Sequence, residues 1–113
     1  MPNDPWFQYF PGAITITDEN ATILAMNAES AETFKSSGGR ELIGRSVIDC
    51  HPPAAQDKVR ALYQTREPNV YTIEKQGRKK LIYQAPVYRD GELIGVVELG
   101  LPLPEEIPHF RRD

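Results

Sequence analysis

Few side chains in this sequence are of the types that perform catalysis. The 113 residues include one cysteine and two histidines: His51 directly follows Cys50, whereas His109 lies far away in the sequence. None of the serines has a histidine or an acid at a motif spacing that would make it a nucleophile. The stretch at residues 36–39 is rich in Ser and Gly, but neither a lysine nor a strong helix follows it, so it does not form a phosphate loop. We therefore predict that the chain is not an enzyme.

The sequence also contains few side chains suited to metal binding or redox chemistry. One cysteine and two distant histidines do not supply the ligand spacing of a zinc site, so we predict no metal site. A single cysteine cannot form an internal disulfide, which fits a reducing compartment such as the cytoplasm. We expect Cys50 to be a small buried thiol and His51 to have a structural or helix-capping role.

The remaining candidate site is the interior, where apolar walls and two tyrosine hydroxyls could hold and orient a small molecule. Alternation along the strand at residues 81–86 is expected to turn Leu81 and Tyr83 toward this space and Ile82 away from it. A filled core with no ligand is the alternative, and the residues do not separate the two. The predicted lining is Met26, Phe34, Ile43, Val47, Ile48, Val59, Leu62, Tyr63, Leu81, Tyr83 and Val97.

The elements that must position this site are strands at both ends of the chain and helices between them. Residues 69–101 contain three runs rich in Val, Ile, Leu and Tyr, separated by turns at Gly77 and at Asp90-Gly91. Short turns require antiparallel neighbours. Residues 13–18 and 22–26 predict a further hairpin, in whose turn Asn20 can take the left-handed conformation.

The middle of the chain predicts short helices. Asn27 is a strong N-cap for the alanine-rich helix that follows, and we expect this cap to contribute about 1 kcal/mol. Pro52-Pro53 marks the start of a longer helix, whose apolar residues continue at helical spacing to about Arg66. The helices must cover one face of the strands. The sequence therefore predicts an α+β fold with a five-stranded antiparallel sheet and helices on one face.

With these elements in order, the chain resembles a PAS domain over residues 13–101. The resemblance rests on four stretches: AITITDENATILAMNAESAETF, ELIGRSVIDCHPP, AAQDKVRAL and YRDGELIGVVELG. It implies the strand order 2-1-5-4-3 and a non-catalytic sensory or signalling module of the bacterial type. Such a module binds a small molecule in its core, mediates dimerisation, or does both. A ligand-free dimerisation adapter is the alternative.

Some PAS domains bind haem or flavin, so the resemblance also bears on cofactors. The haem ligand of the family lies within the long helix and faces the cavity, whereas His51 precedes that helix. Flavin-binding members place a cysteine in an Asn-Cys-Arg-Phe-Leu-Gln context, which the surroundings of Cys50 lack. A haem or flavin redox sensor is therefore the weakest alternative. We predict no haem, and the identity of any other cofactor stays open.

Both ends of the chain differ from the central domain. Residues 1–12 form an aromatic segment, and we expect Trp6, Phe7, Tyr9 and Phe10 to pack on the sheet or on a second subunit. We predict a homodimer through this segment and the outer sheet face, where Ile82 is expected to lie. Residues 102–113 form a proline-rich tail that does not continue as a helix, so we expect either a stand-alone module or a piece of a longer protein.

Net charge and hydropathy indicate which classes of partner and which location are expected. A net charge of −3 gives no electrostatic reason to expect a nucleic acid, and the basic cluster at residues 78–80 is expected to be a solvated hairpin tip. No apolar run is long enough to span a membrane, and no signal peptide is recognisable. We therefore expect a cytoplasmic protein.

Overall fold

The computed structural model describes residues 3–113, so the first two residues of the predicted aromatic segment 1–12 lie outside the described range. Its centre is a five-stranded sheet in the order β2-β1-β5-β4-β3, in which all neighbours are antiparallel. This confirms the predicted fold and strand order. The strands are β1 (Ala13–Asp18), β2 (Ile23–Met26), β3 (Asn69–Lys75), β4 (Arg78–Arg89) and β5 (Glu92–Pro102).

The three closing strands are joined by turns whose backbone requires positive φ angles. Asp90 and Gly91 have φ angles of 53° and 84°, and Gln76 and Gly77 have 54° and 75°. Two consecutive positive φ angles are typical of the two-residue turns that match the twist of antiparallel strands. The predicted hairpins are thereby confirmed.

The β1–β2 turn has a different geometry from the one expected. Ala21, and not Asn20, has the positive φ angle, at 66°. The Asp18 carboxylate accepts hydrogen bonds from the backbone N–H groups of Asn20 and Thr22, at 2.8 and 3.0 Å. These two bonds fix the turn around the aspartate and shift the left-handed residue by one position.

The helices are short. They are α1 (Pro5–Gln8), α2 (Ala28–Thr33) and α3 (Pro53–Ala61), with two 3-10 turns at Lys35–Ser37 and Gly39–Leu42. The predicted extension of α3 to Arg66 was wrong. The chain tightens after Val59, because the N–H groups of Leu62 and Tyr63 bond to carbonyls three residues back, at 3.2 and 3.0 Å.

Asn27 caps α2, as predicted, and also ties the helix to the sheet. Its side-chain oxygen accepts hydrogen bonds from the N–H groups of Ser30 and Ile14, at 3.0 and 2.9 Å. Its amide group donates to the carbonyl of Gly12 at 2.8 Å. The residue is fully buried. One side chain thus connects the start of α2 to the start of β1.

A sheet with helices on one face usually directs apolar residues toward the helices and polar residues toward water. Two neighbouring rows of this sheet show the opposite arrangement. The strand register places Thr15, Glu98 and Gln84 in one row. This row faces the interior together with Val59 of α3 and Leu62, the C-cap residue of that helix. The next row along the strands points to the outer face, and it is apolar. It consists of Ile14, Leu99, Tyr83 and Val70.

Candidate functional site

The interior of the domain holds only a small cavity. Its volume is about 30 Å³, which is close to the share of one water molecule in the liquid. Pockets that hold small organic ligands measure roughly 300–1,000 Å³. The fold therefore has a packed core in this conformation. The cavity is lined by Thr15, Thr17, Ile23, Met26, Phe34, Leu42, Val47, Cys50, His51, Val59, Leu62, Tyr63, Gln84, Val96 and Glu98.

The structure brings six of the eleven predicted lining residues to this cavity. They come from β2, α3 and the segments between the helices and strands, and they are Met26, Phe34, Val47, Val59, Leu62 and Tyr63. The other five lie elsewhere. Ile43 is 40% exposed, Ile48 lies outside the lining, and Leu81, Tyr83 and Val97 occupy the outer face of the sheet.

The predicted facing of β4 and β5 was wrong. Ile82 pairs with Gly100, and a Cβ built on Gly100 would lie 3.7 Å from the Ile82 side chain and 3.4 Å from that of Ala13. Ile82 is therefore on the same side as Gln84, toward the helices. Both faces of β4 carry apolar residues, so hydrophobic alternation does not distinguish them.

A chain of hydrogen bonds explains why polar residues face inward. The Asn69 amide donates to the Gln84 side-chain oxygen at 2.9 Å, and the Gln84 amide donates to the Glu98 carboxylate at 2.6 Å. Gln84 is only 5% exposed. Because each polar group supplies a partner for the next, burial of the row is tolerated. Sequence reasoning missed this row, because the pairing of Gln84 with Glu98 depends on the strand register.

Two pairs of hydroxyl groups complete the polar side of the cavity. The hydroxyls of Thr15 and Ser30 lie 2.6 Å apart, and that of Thr17 bonds to the Tyr63 hydroxyl. Burial raises the pKa of Tyr63, with the Thr17 hydrogen bond acting in the opposite direction and the negative charges of Asp18 and Glu98 adding to the increase. The Tyr63 hydroxyl is therefore neutral at physiological pH and can donate a hydrogen bond.

Tyr71 lies on the helix-facing side of β3, because its partner in the register is Ile82. Burial raises the pKa of Tyr71, and the negative charge of Glu98 raises it further. The Glu98 carboxylate therefore acts electrostatically on two tyrosines from different elements. Among residues 3–113, no lysine, arginine or histidine nitrogen forms an ion pair with it.

His51 lines the cavity, a position that sequence reasoning did not assign to it. Its Nδ1 donates to the carbonyl of Val47 at 2.7 Å, and its own carbonyl accepts from the Gln56 amide at 3.1 Å. Cys50 is half-buried beside it, with its thiol 3.3 Å from the carbonyl of Ser46. These contacts hold the loop that leads into α3.

In this conformation the interior cavity of about 30 Å³ is far smaller than a haem macrocycle. Within the described range, no group of three or more His, Cys, Asp or Glu side chains is arranged to hold a metal ion. The same part of the chain contains no helix with the length and hydropathy needed to cross a bilayer.

The aromatic segment is only partly packed. Phe7 is buried, and Phe10 is 40% exposed, whereas Trp6 and Tyr9 are 88% and 80% exposed. A Cβ on Gly12 would lie 2.8 Å from the Phe10 ring and 2.9 Å from the Leu101 side chain. Phe10 therefore reaches the end of the outer sheet face, while Trp6 and Tyr9 remain open.

Comparison with known proteins identifies the class to which this fold belongs. A family model described as PAS fold matches residues 7–106. The chain belongs to the PAS family, whose domains are generally non-catalytic sensory modules and often dimerise. No curated protein matches the chain.

Solved structures agree on the fold. A C-terminal domain from Streptococcus mutans is 22% identical, with a TM-score of 0.70, covering 85% of this chain and 78% of that one. The Aer2 receptor from Vibrio cholerae, described as a dual PAS-heme oxygen sensor, is 15% identical, with a TM-score of 0.61, covering 82% and 95%. The PAS domain of BvgS from Bordetella pertussis is 20% identical, with a TM-score of 0.60, covering 88% and 82%.

Proposed function

We propose that this chain is a non-catalytic PAS-type signalling module that forms a homodimer through the outer face of its sheet and its aromatic segment. Residues 13–101 form the module, flanked by segment 1–12 and tail 102–113. The single cysteine supports a reducing compartment such as the cytoplasm.

The reversed polarity of the sheet is the observation that carries this proposal. On the side away from the helices, Leu99 and Ile14 are half-buried and Tyr83 is 37% exposed. Neighbouring rows add further aliphatic residues, namely Ile16, Leu81, Val97 and Leu101. A continuous apolar surface of this kind usually marks an interaction site. A second copy supplies a surface of the same shape and chemistry, as a two-fold interface requires.

The packed interior supports a role in dimerisation more than it supports the binding of a ligand in a preformed pocket. β5 still offers a direct connection between the interior and the interface, because Glu98 and Leu99 are consecutive residues that point to opposite faces. A change in the hydrogen bonds of Glu98 would therefore displace the residue beside it at the interface. Signals from the interior can in this way alter dimer affinity.

Two substitutions of matched exposure test where the interface lies. Tyr83→Glu places a charge on the outer face, whereas Ile73→Glu places one on the helix side of β3, at a residue that is 40% exposed. We expect Tyr83→Glu to raise the dimer dissociation constant at least tenfold, measured by sedimentation equilibrium, and Ile73→Glu to leave it close to that of the parent. Equal effects from the two variants would show that the outer face is not the interface.

A small ligand in the interior is the second candidate function, and the Glu98 carboxylate favours it. This half-buried acid accepts from Gln84 but has no ion-pair partner in the described chain. A cationic group smaller than an amino acid would match both its charge and the limited space. Methylammonium chloride is a suitable probe: it should raise the melting temperature of the parent above that in equal sodium chloride, and this difference should vanish in Glu98→Gln. Identical melting curves in the two salts would exclude this candidate.

A further inference from the structure

The aromatic segment forms a groove of its own at the surface. Its volume is about 500 Å³, and it is lined by Pro5, Trp6, Tyr9, Phe10 and Pro11. Trp6 and Tyr9 are more than three-quarters exposed, so this groove has little cover from its own chain. Grooves lined by aromatic side chains are the usual binding sites for extended, proline-containing peptides, which lose little entropy on binding.

The tail of this chain has the chemistry of such a peptide. After Leu103, whose N–H bonds to the Lys79 carbonyl at 2.9 Å, the tail contains Pro104 and Pro108, which also restrict the preceding residues to extended conformations. Ile107 and Phe110 are 60% and 68% exposed. A polyproline helix has three residues per turn, so positions 104, 107 and 110 would form one apolar stripe in a tail docked in that conformation.

The groove and the tail lie at the same end of the sheet. Ala13 pairs with Gly100 in an antiparallel register, so the segment before β1 and the tail after β5 leave the sheet side by side. Pro11 and Pro104 border the same surface depression. The tail thus starts at the rim of the groove. The tail bends at Glu105 and Glu106. An extended chain advances about 3.1 Å per residue, so a tail docked in extended form would span roughly 19 Å from Pro104 to Phe110 and would reach beyond the groove of its own copy.

Two arginines follow Phe110 in the tail, which also carries Glu105, Glu106 and Asp113. Guanidinium groups stack favourably on exposed aromatic rings. In the structure these arginines contact only the tail itself within residues 3–113: Arg111 pairs with Asp113 at 2.9 Å, and Arg112 lies 5.3 Å from the Phe110 ring centre.

We propose that residues 104–113 of one copy dock in the aromatic groove of a second copy, and that the exchange is reciprocal. This inference rests on the proposed dimer, and it names a second contact beside the sheet face. A two-fold axis near this end of the sheet makes both exchanges equivalent. The tail then covers Trp6 and Tyr9, and its own apolar stripe leaves water at the same time.

Trp6 is the only tryptophan in the chain, so its fluorescence reports directly on the groove. A variant that ends at Leu103 keeps β5 intact and leaves the groove empty. A synthetic peptide of residues 103–113, which contains no tryptophan, should shift the Trp6 emission of this variant to shorter wavelength in a saturable titration. The matched control is the same peptide with Ile107→Ser and Phe110→Ser, which should give no shift. An unchanged spectrum with the parent peptide would overturn the proposal.

A mixing experiment distinguishes exchange between copies from docking within one copy. Full-length chain carrying Trp6→Ser and Tyr9→Ser has an intact tail and no tryptophan signal. When it is added to the variant ending at Leu103, exchange predicts the same spectral shift as the peptide. A full-length protein whose Trp6 emission is already shifted at nanomolar concentration would instead show docking within one copy. The peptide titration does not require the sheet interface. A monomeric parent chain would therefore refute the proposed dimer, and the titration would still test whether the groove binds the tail.

Discussion

Replacement of Asn27 by alanine should destabilise the fold far more than the loss of an ordinary helix cap. The cap itself is worth about 1 kcal/mol. The substitution also removes the partners of the Ile14 N–H and the Gly12 carbonyl, and each buried group left without a partner costs about 1–3 kcal/mol. Because the residue is fully buried, we expect a total loss of about 3–7 kcal/mol.

Urea unfolding followed by far-ultraviolet circular dichroism measures this loss, with the parent and variants at equal protein concentration because dimerisation also stabilises the fold. Asp4→Ala is the matched control. Asp4 is an exposed N-cap that accepts one backbone hydrogen bond from Trp6 at 2.9 Å, so its loss should cost no more than about 1 kcal/mol. A loss of 1 kcal/mol or less for Asn27→Ala would refute the reasoning, because the residue would then act only as a cap.

The remaining predictions concern the interior and the β5 backbone. The pKa of Tyr63 is raised in the folded state, so the folded protein retains this proton above the ordinary value of about 10. The free energy of unfolding should therefore fall as the pH rises beyond that value, and Tyr63→Phe should reduce this alkaline loss in urea titrations at pH 9–11. Gly95 has a φ angle of 156°, and a Cβ there would lie 1.9 Å from the Thr17 carbonyl oxygen. Gly95→Ala should thus lower the urea midpoint much more than Gly77→Ala, where no atom lies within 4 Å; equal midpoints would contradict the close approach of β1.

Local sequence patterns were sufficient to predict the helices and strands and most of the residues at which they begin and end. The Asp90-Gly91 turn, the Asn27 cap and the apolar runs of the last third each depend on nearby residues, and the structure confirms them. The strand order came from the resemblance to PAS domains, since short turns alone do not determine where β1 joins the sheet. Its pairing with β5 spans almost the whole chain.

The facing of β4 and β5 was not predictable from hydropathy. Gln84 and Glu98 would be expected to face water, but they lie on neighbouring strands and satisfy each other's hydrogen-bonding groups at 2.6 Å. Such a pair becomes visible only once the register is known. The size of the cavity depends on side-chain packing at a scale of about one water molecule, which no sequence pattern encodes.

The molecular mass of the parent chain across a concentration series tests the proposed dimer most directly. Sedimentation equilibrium from low to high micromolar concentration should show a mass that approaches twice the 12.8 kDa of one chain and falls toward that of the monomer on dilution. A mass that stays at 12.8 kDa up to high micromolar concentration would contradict the account. The apolar outer face and the exposed Trp6 would then require a different partner.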